Sequence, residues 1–135
     1  MDSIGFGIFT FWLLWCLSNL AIMFFVAPRG PAFTGFRIVM PEYLKQILSK
    51  AEYDAILAHE QGHKHHRHVW ENYARACFFH FTSKGRRREQ EMEADDYAAN
   101  RGHAVALASA LRKLSMNKFD HLRARRLLGE RDGMV

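Results

Sequence analysis

With 135 residues the chain has length for one domain and not for two. Its 19 Lys and Arg against 14 Asp and Glu give a net charge of +5, and only two cysteines are present. The length excludes a large multidomain assembly, and Cys16 inside an apolar run with Cys77 alone beyond it excludes an intradomain disulfide framework.

Ile4 to Ala27 is a run of 24 residues without a charged side chain, followed by Pro28-Arg29. At about 1.5 Å per residue it can cross a hydrocarbon core of about 30 Å. A cleaved secretory signal fits less well. No Lys or Arg precedes the run, it exceeds the usual apolar length, and Phe25-Val26-Ala27 is not a small-residue cleavage site. A buried core helix is the other alternative, but Trp12, Trp15, Phe24 and Phe25 surround the whole circumference. Residues 1–27 are therefore expected to be a single-pass membrane anchor. Every Lys and Arg follows it, which predicts a cytoplasmic C-terminal domain and an N-terminus outside.

Residues 28–34 (PRGPAFT) read as a Pro/Gly linker, and residues 35–135 as the domain. Gly35 to Met40 is the one convincing strand: Phe36, Ile38 and Met40 alternate with Arg37 and Val39. Pro41 to Leu48 predicts a short helix. Ser49-Lys50-Ala51-Glu52 is a capping box, opening a helix to about His68. Val69 to Thr82 continues helical, and its Cys77-Phe78-Phe79-His80-Phe81 end reads as core rather than membrane surface. Helices follow at Arg87–Arg101, stopped by Gly102, at His103–Ser115, and at Phe119–Leu128, with a frayed end beyond. No repeat or low-complexity tract is present. The fold class is mainly α with a small β element, plus one N-terminal transmembrane helix.

The stretch that carries chemistry is His59-Glu60-Gln61-Gly62-His63. Two histidines four apart share a helix face, so both imidazoles can reach one ion, and the glutamate beside the first faces an activated water. Given 8 His in the chain, its composition yields roughly 0.03 chance matches to the bare pattern. A catalytic zinc needs a third protein ligand and an open position. Glu91 supplies it, with Asp95 one turn later on the same face to orient a ligand histidine. Glu93 is the alternative third ligand. Ala94 and Ala98 are small enough to let the two helices approach closely.

These residues carry a resemblance. His59-Glu60-x-x-His63 with Glu91-x-x-Ala94-Asp95 resembles the gluzincin zinc metallopeptidases. It is similar, in minimal form, to the membrane endopeptidases that include the heat-shock membrane protease, the CAAX prenyl endopeptidase and the β-lactam sensor-transducer proteases. The likeness spans about Gly35 to Gly102. It implies a minimal zincin-like domain, zinc held by His59, His63 and Glu91, Glu60 as general base, and Asp95 behind the ligands. The chain departs from these relatives in having one span, no large second subdomain, and no proline beside His121.

The expected function is hydrolysis of membrane-proximal protein or peptide substrates by a zinc-activated water, the peptide lying along Arg37, Ile38 and Val39 as an added strand. Two other readings stand beside it: a regulatory gluzincin that cleaves a repressor, and a non-enzymatic zinc-stabilised membrane adaptor. The donor to the developing oxyanion is open among Tyr97, Arg101, His103 and His121. His65, His66 and His68 read as a solvated run or a second metal site, His80 as packed, and Asp96 as exposed. Arg86-Arg87-Arg88 and Arg123-Ala124-Arg125-Arg126 read as solvated faces near an anionic leaflet, and no nucleic-acid signature accompanies them.

Overall fold

A computed structural model describes residues 3–114 and 117–130. Ser115 and the last five residues, which include most of the expected frayed end, lie outside the described residues. The architecture is mainly α with a two-stranded sheet, as the sequence predicts.

Helix α1 (Ser3–Phe25) is long and apolar enough to cross a membrane, and its surface is apolar all round. The expected strand is instead a small hairpin. Strand β1 (Ala32–Phe33) pairs antiparallel with β2 (Ile38–Val39), in register Ala32 with Val39 and Phe33 with Ile38. Gly35, read as the start of a strand, sits in the turn at φ +95°, a backbone conformation glycine adopts without penalty. The end of the expected linker thus supplies the partner strand.

Helix α2 (Leu44–Ile47) leads to α3 (Lys50–His65), which begins at the expected capping box. Ser49 Oγ accepts the Glu52 N–H at 3.3 Å, and Glu52 Oε2 accepts the Ser49 N–H at 2.8 Å. Helix α3 stops three residues before the expected His68, because Arg67 adopts a left-handed φ of 57°. The chain changes direction there, and α4 (His68–Cys77) sets off along α1. Helix α5 (Lys84–Ala99) starts at the Ser83 cap, earlier than expected, and Gly102 follows its end at φ +85°. Helices α6 (Ala104–Leu114) and α7 (Lys118–Leu127) complete the order, α7 capped by Asn117.

Helix α3 is the central element, packed between α5 and α6, with α7 against α6. The core is built largely from alanines (Ala55, Ala58, Ala98, Ala108, Ala110, Ala124) around Leu44 and Leu107. Small residues let the helices approach closely. A Cβ at Gly62 would lie 2.8 Å from Ala94 Cα, so α3 and α5 touch backbone to backbone beside the H-E-x-x-H motif. The aromatic end of α4 is not core, contrary to expectation. Cys77 is buried, but Phe78, Phe79 and Phe81 are exposed, the first two beside aromatic rings of α1.

Candidate metal centre

The helical period of α3 turns His59 and His63 to one side, one turn apart, and buries His59 and Glu60. The close approach at Gly62 and Ala94 then brings Glu91 of α5 across from them. His59 Nε2 and His63 Nε2 are 3.1 Å apart. Glu91 Oε2 lies 3.4 Å from His59 Nε2, and Glu91 Oε1 lies 3.5 Å from His63 Nε2.

This triangle can be tested against a metal. Donors about 2.0–2.1 Å from a tetrahedral zinc stand about 3.3 Å from one another. The His–His separation lies close to that figure, one or other Glu91 oxygen stands 3.4–3.5 Å from each histidine, and two nitrogens with one carboxylate is a zinc donor set. The residues fit the ion. The electrostatics agree. Burial opposes a charge on His59, but Asp95 and Glu91 outweigh it and raise its pKa. His63 is pushed down by burial and then by the charge on His59. Glu91 is held down at about 2, its burial being outweighed by His59 and Arg123. The pocket thus stabilises one positive charge between the two imidazoles, where a cation fits.

Asp95 is fully buried, with Oδ1 3.0 Å from His59 Nδ1. The contact is too bent to count as an aligned hydrogen bond, so it is an electrostatic pairing. What holds Asp95 is Arg123 of α7. Its Nε and Nη2 donate to Oδ2 and Oδ1 at 2.8 and 2.7 Å, a two-pronged pair. Arg123 Nη1 also lies 3.0 Å from Glu91 Oε2 and 3.0 Å from Asp120 Oδ1. One buried guanidinium therefore ties the third donor to the residue behind the first.

His63 is held from its other side. Its Nδ1 lies 2.8 Å from His68 Nδ1, and His68 Nε2 lies 2.6 Å from Glu93 Oε2. If His63 Nε2 offers its lone pair to an ion, its proton sits on Nδ1 and is donated to His68. The His68 proton must then sit on Nε2 and be donated to Glu93, which in turn takes 2.9 Å from Arg86 Nη1. The same count argues against His66, His68 and Glu93 as a second, simultaneous metal site. A metal on His68 Nε2 would leave two N–H groups facing each other at 2.8 Å.

Glu60 projects into a cleft of about 950 Å³ with the triangle, and Oε2 accepts the Phe33 N–H of β1 at 2.8 Å. Burial raises its pKa, partly offset by His59 and by Phe33. That suits a carboxylate that takes and returns a proton near neutral pH.

The structure thus brings together His59, Glu60, His63, Glu91 and Asp95. Glu93 faces His68 and Arg86, outside the triangle. Arg37, Ile38 and Val39 do not line the cleft; Pro31, Ala32 and Phe33 do. Tyr97, Arg101, His103 and His121 also lie away from it. Tyr97 stacks under the Arg101 guanidinium at 3.4 Å, and His121 is exposed. His66 stacks on His68, and His80 and Asp96 are exposed. The residues sequence reasoning missed are Arg123, read as part of a solvated basic run, and His68. The signal for Arg123 was Asp95 itself: a carboxylate on a buried helix face needs a cation.

Fold and site together define a small helical domain with a candidate metal centre of two histidines and a glutamate. Residues 25–86 match the sequence model of Peptidase family M48, a family of zinc metallopeptidases, and this stretch is what likens the chain to that group. The match includes the hairpin, α3 and the H-E-x-x-H motif, and ends before Glu91, whose place rests on the geometry above. No curated protein and no solved structure matches the chain.

Proposed function

We propose that this chain is a membrane-anchored, zinc-dependent endopeptidase with Glu60 as its general base. The observation that carries the reading is the spacing of His59, His63 and Glu91 at 3.1–3.5 Å, with Glu60 in the same cleft. A structural site has no use for such a base. When bound, zinc supplies Lewis acidity toward a scissile carbonyl and lowers the pKa of water.

Everything else falls to the chain. Glu60 takes the proton of the attacking water and delivers it to the leaving amine. Arg123 holds Glu91 and Asp95 in position, and the His68–Glu93 pair fixes the His63 ring. The peptide lies extended at the hairpin, where residues 31–33 border the cleft. The run of α1 supports an anchor, the charge distribution a cytoplasmic domain, and the two together substrates close to the bilayer.

The test compares the full chain in detergent with its Glu60→Gln variant, measuring bound zinc and hydrolysis of a denatured protein substrate. Both should carry one zinc per chain, and only the parent should cleave. Equal cleavage by both would falsify the role of Glu60. A reporter fused after Val135 should register as cytoplasmic.

A further inference from the structure

The end of α4 combines three features that its part in the domain does not explain. First, Phe78, Phe79 and Phe81 are 71%, 51% and 64% exposed, three large rings within four residues. A soluble surface rarely gathers such a patch without a partner.

Second, the turn that carries them is strained. The His80 N–H bonds Arg75 O at 2.8 Å and the Phe79 N–H bonds Ala76 O at 3.0 Å, closing the helix as a Schellman motif. The left-handed position of that motif, the usual place of glycine, is Phe79 at φ 56°. A left-handed non-glycine residue costs about 1–2 kcal/mol. Its ring is instead stacked on Trp15 at 5.3 Å and on Phe11 at 6.5 Å. Strain kept at one place marks a constraint other than the turn itself.

Third, the last carbonyls of α4 take donors from the apolar flank of α1. Trp15 Nε1 donates to Ala76 O at 2.8 Å, and Trp12 Nε1 donates to Cys77 O at 2.9 Å. In water such carbonyls need no protein donor; in hydrocarbon each must have one.

The tip lies at the level of Trp12 and Trp15, near the middle of α1. Trp15 is about 15 Å along the helix from Phe25, at about 1.5 Å per residue. The apolar surface of the tip is continuous with that of α1, where Phe11 and Leu14 are also exposed.

We propose that Phe78–Phe81 is a second lipid-contacting element, seated beside α1 in the acyl region of the same bilayer. The proposal rests on the reading of α1 as a membrane anchor. Its consequence is a fixed distance. Helix α4 begins at His68, which braces the ligand His63, and ends at the lipid-contacting turn ten residues on. The metal centre is therefore held about 15 Å from that turn by one rigid helix, rather than hanging on a linker.

The test uses the full chain, with Cys16→Ala and Cys77→Ala, in vesicles of phosphatidylcholine with phosphatidylglycerol. Single cysteines replace Leu14 in α1, Phe81 in the tip or Leu122 on α7, and each carries the polarity-sensitive fluorophore NBD. Quenching by lipids doxyl-labelled on their chains is read at each site. Quenching at 81 should come within about twofold of that at 14 and exceed that at 122 by about threefold or more. Quenching at 14 but not at 81 overturns the proposal and leaves the anchor standing. Equal quenching at 81 and 122 also overturns it, because the contact is then nonspecific. No quenching at 14 removes the anchor reading and the proposal with it. Should the cysteine-free chain lose its helical circular dichroism, Phe81→Trp in the native background gives the same readout. Its added emission should be quenched by chain-brominated lipid, and unquenched emission overturns the proposal.

Discussion

Gly62→Ala tests whether the close approach of α3 and α5 sets the metal triangle. The added Cβ meets Ala94 Cα at 2.8 Å, Ala94 O at 3.0 Å and Tyr97 Cβ at 3.1 Å. Carbon atoms in ordinary contact sit about 3.5–4.0 Å apart, so the helices must separate by about 1 Å. The nearest atoms are backbone, so no side-chain rotation relieves the clash. Glu91 rides on α5, and its 3.4 and 3.5 Å separations from the two histidines open with it. One zinc at about 2.0–2.1 Å from each donor spans at most about 4.2 Å, even with the donors on opposite sides. Glu91 then leaves the ion. Losing an orienting partner behind a ligand costs about 10–100-fold in affinity, and losing the ligand itself costs more, so affinity falls by about 100-fold or beyond. Stability moves less. Overpacking costs about 1–3 kcal/mol, and replacing a helical glycine by alanine returns about 1 kcal/mol. The assay is chelator competition for zinc in detergent, with circular dichroism to show that the variant stays folded. Gly85→Ala on α5 is the control, since its Cβ finds only Ser83 Oγ at 3.8 Å. A folded Gly62→Ala chain that binds zinc within about threefold of the parent refutes the reasoning, because the lost ligand demands far more.

Two further changes probe the supports of the site, and a third probes the fold. Arg123→Met leaves the fully buried Asp95 without its cation, and should lower stability by about 3–5 kcal/mol in urea unfolding; an unshifted midpoint means the pair contributes nothing. His68→Ala removes the brace on His63 and should weaken zinc binding by about 10-fold with the helix signal intact; unchanged affinity refutes the bracing role. Glu52 gives a pH dependence away from the metal. The Lys113 ammonium at 2.7 Å, with Ser109 and the Ser49 cap, lowers its pKa to about 2. A lowered carboxylate pKa stabilises the fold above its unfolded value of about 4.3, and that contribution is lost as pH falls toward about 2. Lys113 is half exposed, so screening reduces the contribution to about 2 kcal/mol. In the metal-free chain, Glu52→Gln should be less stable than the parent by this amount at pH 7 and equal to it at about pH 2. A constant difference across that range refutes the linkage.

What the sequence reveals follows from local periodicity. His59, Glu60 and His63, and then Glu91 and Asp95, are legible because residues three or four apart share a helix face. The Ser49 cap and the Gly102 stop are legible for the same local reason. His68 is not. On a continuous helix, five residues would turn it well away from His63, and only the left-handed Arg67 brings it back. Arg123 meets Asp95 across 28 residues, a partnership that no local pattern encodes. The hairpin is partly hidden because two-residue strands are too short to alternate, and β1 lies in a stretch with linker composition. Phe78–Phe81 read as core because composition cannot distinguish rings that face protein from rings that face lipid.

The charges around the triangle bear on which ion it takes. Glu60, Glu91 and Asp95 are three carboxylates at or against the ligands, and Arg123 is the one guanidinium bonded among them. Asp120 also bonds Arg123, so carboxylates outnumber the guanidinium they share. A proton on His59 offsets part of that negative charge: Asp95 and Glu91 raise its pKa despite burial. A divalent ion held by His59, His63 and Glu91 would offset more of it and would take the place of that proton. Arg123 donates to Asp95 and lies 3.0 Å from Glu91 Oε2, so both carboxylates have a cationic partner within the protein. Metal loading is therefore expected to replace a charge in a site already shaped by α3, α5 and α7, and to leave their packing in place.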